Sequence, residues 1–351
     1  MLPTTMAASV LVAPGVLKVE RREVPSPRVG EVLVQVSAVG VCGSDAHYFR
    51  HGRIGDYVVD APLVLGHEAS GRIVAVGDGV PPARVGERVS IEPQQPDPDS
   101  EPSRRGEYNL CPHMRFYATP PVDGALTEYV TIGSAFAHAI PDAVSDEAAA
   151  LFEPLSVAIA TMRKAAVGVG DRVLIAGAGP VGLLCSQVAA AAGVTEVIVT
   201  DVNPDRCATA LRFGATTAIG PDDLEAELEV DAFIDASGAE SAIVAGIHQV
   251  RPGGRVVLVG MGAHASMAMP VARIQNRELI LTGVFRYANT WPAARGLVTS
   301  GKVDLDAMVT ARFGLDEVAA ALEADRTPGS IKAIIYPAGV PAAPRQGVGR
   351  S

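Results

Sequence analysis

The rhythm of apolar and polar positions changes once along the chain. In the first part, short runs alternate Val, Ile and Ala with polar residues or set them between glycines, as in EVLVQVSAVG, GRIVAVG and ERVSIEP. Period-two alternation punctuated by glycine predicts a mostly β unit. Near Glu153 the texture shifts. RVLIA, EVIVTD, ATTAIG, VDAFIDAS, GGRVVLVG and ELILTGVF are short apolar strands, and they alternate with helical stretches such as PDRCATALRFG and SAIVAGIHQV. That alternation predicts a doubly wound parallel sheet. Beyond Phe285, WPAARGLVTSG and LDEVAAALEA predict helices, KAIIYP a last strand, and AGVPAAPRQGVGRS a loose tail. The expected class is α/β: a mostly-β domain joined to a doubly wound nucleotide-binding domain.

Composition narrows the function. With 351 residues, 48% of them hydrophobic, the chain has material for two domains. Its net charge is −10 and no long basic run appears, which argues against a nucleic-acid partner. The start, MLPTTMAASVLVAPGVLKVE, has no basic stretch ahead of its apolar part and is broken by Pro3 and Pro14, so a strand is expected there rather than a signal peptide. No apolar run reaches the roughly 18 residues of a membrane span. Cys42, Cys111, Cys185 and Cys207 show neither disulfide-like nor zinc-ribbon spacing, and a reducing, cytoplasmic setting is expected. Cys185 and Cys207 fall in helical stretches and read as packing residues.

Gly177, Gly179 and Gly182 form G-x-G-x-x-G, with Pro180 and Val181 between the last two. The motif follows the strand RVLIA, opens a helix, and has Asp201 at the end of the next strand. In that context it is a dinucleotide fingerprint: a tight turn, close approach to a pyrophosphate, and close helix–strand packing. The free N–H groups of the helix start face the phosphates. Asp201 suits ribose hydroxyls and opposes a 2′-phosphate, which favours NAD over NADP. Arg206 works the other way, since it offers such a phosphate a cation.

VGVCGSDAHYFRHG sets Cys42 among Ser44, Asp45, His47 and His51; VLGHEASG supplies His67 and Glu68, and LFEPLSVA supplies Glu153. Thiolate, imidazole and carboxylate together favour zinc, in a site that keeps one position open. Asp45 would fix the tautomer of His67. On spacing alone, a His67–Glu68 pair is more often surface or core decoration than a ligand pair. No role is assigned to His51, His113, His138, His248 or His264.

These stretches, with PLVLGHEASG, EYNLCP, ATPPVDGAL, FEPLSVA, GAGPVGLL and GVFRYANTWP, resemble the zinc-dependent medium-chain dehydrogenases, within them the sorbitol (polyol) dehydrogenase family. The resemblance covers nearly the whole chain. It implies a GroES-like catalytic domain over residues 1–154 and 287–351 and a Rossmann domain over 155–286. It implies zinc on Cys42, His67 and Glu68, with Glu153 touching the metal directly or through water. It puts Ser44 and His47 on a proton path, and Tyr48, Phe116, Arg286 and Tyr287 around a polyol. The implied reaction oxidises sorbitol, xylitol or a similar polyol to a ketose, with hydride passing to NAD. FRYANTWP points to polyols without ranking them. Many members hold a second, structural zinc on four cysteines. Here QQPDPDSEPSRRGEYNLCP keeps only Cys111, and one thiol cannot close a tetrahedral site, so one catalytic zinc per chain is expected. The resemblance also suggests a homotetramer, with ELILTGVF at a sheet edge where two chains could pair. The competing readings are another secondary-alcohol or threonine dehydrogenase, a zinc-free quinone reductase, and a non-catalytic dinucleotide-binding protein.

Overall fold

Glu31–Gly40, the clearest alternating run, lies at the centre of a seven-stranded sheet. In the computed structural model, which describes residues 1–224, 227–262 and 266–341, it pairs antiparallel with Glu68–Val76, Tyr129–Gly133 and Lys332–Tyr336. His264 and residues 342–351 of the expected tail lie outside the described residues. Val32, Val34, Ile73, Val89 and Ile91 are fully buried between this sheet and its cover. Each such side chain contributes on the order of 1.5–3 kcal/mol. The amino-terminal strand Thr5–Ala13 forms as expected and pairs with Val16–Glu23.

The later strands form a six-stranded, wholly parallel sheet. Its order is Thr217–Ile219, Glu196–Thr200, Arg172–Ala176, Val230–Asp235, Val250–Leu258, Ile280–Gly283. This doubly wound order reverses direction beside Arg172–Ala176, and ligands bind in the crevice such a reversal opens. Ile280–Gly283 is an edge strand, with Ile280 and Leu281 exposed.

Several elements escape the hydrophobic pattern. Gly43–His51 is a helix whose sequence, GSDAHYFRH, has no apolar stripe. Phe152–Ala165 is a helix buried on nearly every side, so it shows no amphipathic period. Val309–Gly314 is a strand that pairs parallel with Lys332–Tyr336. No described helix is long and apolar enough to cross a membrane.

Candidate active site

Cys42 caps the helix Gly43–His51 in an extended conformation, and its N–H donates to Asp45 Oδ2 at 3.2 Å. His67 and Glu68 sit at the start of the strand Glu68–Val76, and that strand's pairing with Glu31–Gly40 brings them back beside Cys42. One donor atom from each of Cys42, His67 and Glu68 lies within 4.8 Å of the others, the one cluster of three such groups among the described residues. Glu68 is wholly buried, and its Oε2 has no hydrogen-bond partner among the described residues. An unpaired buried carboxylate oxygen is expensive unless a cation meets it. A soft thiolate, an imidazole and this free oxygen therefore fit a zinc ion, with the fourth position left for substrate.

Neighbouring groups aim these donors. Buried Asp45 accepts the Gly66 N–H at 2.9 Å and faces His67 Nδ1 at 3.5 Å. Burial works against its charge, yet His67 and the N–H groups of Gly66 and Cys42 hold its pKa below the ordinary value. Burial also opposes a charged His67, and Asp45 and Cys42 overcome it, raising that pKa well above the usual range. Glu68 Oε1 accepts from Lys332 Nζ at 2.6 Å; the same ammonium donates to the Val41 carbonyl at 2.7 Å. Lys332 is 4% exposed, and Glu68 and Cys42 outweigh burial to keep it charged. Gly40 makes room for this pair, since a Cβ there would stand 2.1 Å from Glu68 Oε2.

Glu153, in the first turn of Phe152–Ala165, is buried and accepts from Tyr287 Oη at 2.7 Å. Burial pushes its carboxyl up to about 7, with Glu68 adding to the rise and His67 opposing it. Arg286 has φ +56° and lays its guanidinium 3.9 Å from the Phe116 ring centroid. Phe116 in turn packs against His67, ring centroids 5.6 Å apart. Tyr48 is buried in the same quarter, and burial lifts its hydroxyl to about 12. Tyr48, Phe116 and the adjacent Arg286 and Tyr287 thus converge on the cluster from three separate segments.

Ser44 is half-buried and His47 exposed on the helix that Cys42 caps. The His47 ring packs on His51, centroids 4.6 Å apart. Partial burial, then His51 and Arg50, keep its pKa below the ordinary value.

At the glycine turn, Gly177 has φ +98°. A Cβ on Gly182 would stand 1.8 Å from the Gly177 carbonyl oxygen, while one on Gly179 would meet nothing within 4 Å. The open side at Gly179 is where the helix Pro180–Ala191 begins, with no side chain capping its N–H groups. Asp201 accepts the N–H groups of Ala178 and Asn203, both at 2.8 Å. A cleft of about 420 Å³ joins Gly179, Pro180 and Arg206 to Cys42, Gly43 and Ala46. An open helix start in a cleft that reaches the metal cluster fits a dinucleotide.

Residues 28–142 match the alcohol dehydrogenase GroES-like domain and residues 180–300 the zinc-binding dehydrogenase domain. Sorbitol dehydrogenase of Homo sapiens is 41% identical over 325 residues, covering 90% of this chain and 91% of the relative. The chain belongs to the sorbitol dehydrogenase family of zinc-dependent medium-chain dehydrogenases. A bacterial member, sorbitol dehydrogenase of Bacillus subtilis (strain 168), is 39% identical over 331 residues, covering 92% of this chain and 94% of its own. An alcohol dehydrogenase of E. coli CFT073 solved with NADH superimposes with a TM-score of 0.88 at 29% identity, covering 95% of this chain and 100% of the other. Family membership makes the chain an oxidoreductase that uses zinc and a nicotinamide cofactor.

Lys332 and Gly40 had no place among the expected site residues. The signal for Lys332 was a lysine opening an otherwise apolar strand, KAIIYP; Gly40 carried none.

Proposed function

We propose that this chain oxidises a polyol to a ketose, with hydride passing to NAD, at one zinc per chain and without a structural zinc. The observation that carries this reading is the single cleft shared by Cys42 and the Gly179 helix start. Zinc on Cys42, His67 and Glu68 supplies Lewis acidity toward a hydroxyl, and NAD supplies the hydride acceptor. Gly177, Gly179, Pro180, Val181 and Gly182 hold the pyrophosphate, and Asp201 the adenosine ribose. Arg206, exposed at the cleft, would contribute to holding the cofactor's adenosine end. Arg286 and Tyr287 bind substrate hydroxyls, which lets the pocket reject alcohols that leave those groups unpaired. Phe116 and Tyr48 wall it. Ser44 and His47 lie on the path of the released proton, by way of the cofactor ribose, and the exposed His47 ring gives it to solvent. Glu153, buried beside the cluster and bound by the Tyr287 hydroxyl, is placed to accept or return a proton.

The reading extends to the assembly. The catalytic domain comprises residues 1–154 and 287–351 and the cofactor domain residues 155–286. The exposed edge strand Ile280–Gly283, with Phe285 beside it, supports a homotetramer built through sheet pairing. Four unpaired thiols are compatible with a cytoplasmic setting.

The test is NADH formation across sorbitol, xylitol, ribitol and galactitol, with NAD and NADP in parallel, before and after chelation. Chelator-sensitive oxidation with NAD is expected. Turnover only of threonine or of simple secondary alcohols would move the substrate and leave the scaffold.

A further inference from the structure

The segment Phe285–Trp291 carries Arg286 and Tyr287, and its backbone is unusual. Arg286 and Asn289 both have φ +56°, a region that residues other than glycine occupy only when their surroundings hold them there. Three of the groups that hold the segment converge on one buried carboxylate, Glu92, which is 2% exposed.

Tyr108 Oη donates to Glu92 Oε1 at 2.7 Å and accepts the Asn289 N–H at 2.7 Å. Gln94 Nε2 donates to Glu92 Oε1 at 3.1 Å and to the Tyr287 carbonyl at 3.0 Å. His138 Nε2 donates to Glu92 Oε2 at 2.8 Å, and its ring stacks on Trp291 with centroids 5.3 Å apart. One carboxylate thus orients a tyrosine, an amide and an imidazole, and each fixes a different point of the segment. Asn109 and Asn289 add ties from Nδ2 to the carbonyls of Phe285 and Gly106.

We propose that Glu92, acting through Tyr108, Gln94 and His138, is the positioning residue that clamps Tyr287–Trp291 and so aims Arg286 and Tyr287 at the substrate. The proposal rests on reading Arg286 and Tyr287 as substrate contacts. Glu92 touches neither substrate nor cofactor. Without its charge, Tyr108 and Gln94 lose their anchor, Arg286 leaves the left-handed conformation, and the guanidinium swings off Phe116. A residue that only places a substrate-binding group changes KM for that substrate and spares the cofactor.

Glu92→Gln and Tyr108→Phe are compared with Arg286→Ala in the zinc-loaded full chain. Four quantities are read: KM for the best polyol, KM for NAD, zinc content, and acrylamide quenching of Trp291, the chain's one tryptophan. Tyr108→Phe keeps the ring that meets Phe136 edge-on at 5.8 Å, so it guards against a folding failure in Glu92→Gln. Both clamp variants are expected to raise the polyol KM about tenfold, the scale of one lost hydrogen bond to a charged group. NAD KM and zinc content should hold while Trp291 quenching rises. If Arg286→Ala raises the polyol KM but both clamp variants leave KM and quenching unchanged, the clamp is wrong and the pocket reading stands. If Arg286→Ala is silent while quenching rises in the clamp variants, the clamp stands and the pocket reading falls. Loss of zinc or of NAD affinity in both clamp variants would overturn the proposal in favour of a general structural role.

Discussion

The cofactor turn and the metal cluster meet in one cleft but are built on opposite principles. The turn spans Gly177 to Gly182 and works through backbone: free N–H groups, a positive φ at Gly177, and an absent side chain at Gly182. The cluster works through side chains drawn from separate elements, Cys42, the adjacent His67 and Glu68, and Lys332, with buried charges holding one another. A turn of the first kind fails when atoms are added. A cluster of the second kind fails when a charge or a donor is removed.

Cys42→Ser is the sharpest test of that contrast. Removing a thiolate from the donor set should lower zinc content below one per chain and kcat/KM on the order of a thousandfold, the loss of several kcal/mol of Lewis-acid assistance. NADH affinity, read by quenching of its fluorescence, should change less than about twofold, because the backbone of the turn does not depend on the thiolate. Equal collapse of both would mean that the two sites are one cooperative structure.

Lys332→Met removes a charge from the cluster's far side. Breaking a buried pair costs about 3–5 kcal/mol when one charge is left alone. That full cost is expected in the metal-free chain by denaturant unfolding, and a smaller one with zinc bound, since the cation then meets the Glu68 carboxylate. Identical losses with and without zinc would show that Lys332 answers to something other than Glu68.

Gly182→Ala adds a single methyl to the turn. Its Cβ would lie 1.8 Å from a backbone oxygen, which no side-chain rotation relieves. A cost of about 1–3 kcal/mol is expected, the range of overpacking, together with weaker NADH binding. Zinc content should be untouched.

The same contrast explains what could be read from the chain. The glycine turn is local, so strand, motif and helix stand together in RVLIAGAGPVGLL and are recognisable without the fold. Cys42 lies on one segment and the adjacent His67 and Glu68 on another, and their joining came from family resemblance rather than from spacing. Lys332 showed only as a lysine opening an apolar strand, with nothing to say what it meets. It joins Glu68 only because Lys332–Tyr336 returns to pair with Glu31–Gly40. Glu153 was singled out within FEPLSVA, yet the helix that carries it was not, because burial on nearly every side erases the period that marks a helix.

The smallest effect tests how firmly that returning strand is held. Glu147, in the helix Asp146–Ala150, accepts from Arg312 Nε at 2.6 Å and from the hydroxyl of Tyr336, the last residue of the strand that Lys332 opens. Burial tends to raise the Glu147 pKa, and the Arg312 and Tyr336 hydrogen bonds overcome it, leaving the pKa below the ordinary value. A carboxyl whose folded pKa is depressed stabilises fully above its unfolded value of about 4.3, and that contribution fades as pH falls through the folded value. Arg312 is 47% exposed, so solvent screens the pair to about 1 kcal/mol or less. Glu147→Gln should therefore lower stability slightly at pH 7, with the gap from the parent chain narrowing below about pH 4. Its effect on zinc affinity separates two pictures of the cluster. If loosening the far end of the strand weakens zinc binding, Lys332 is held by the sheet's whole length. If zinc binding is unchanged, the pairing of Ile334 and Ile335 with Gly40 and Val39 suffices to hold it.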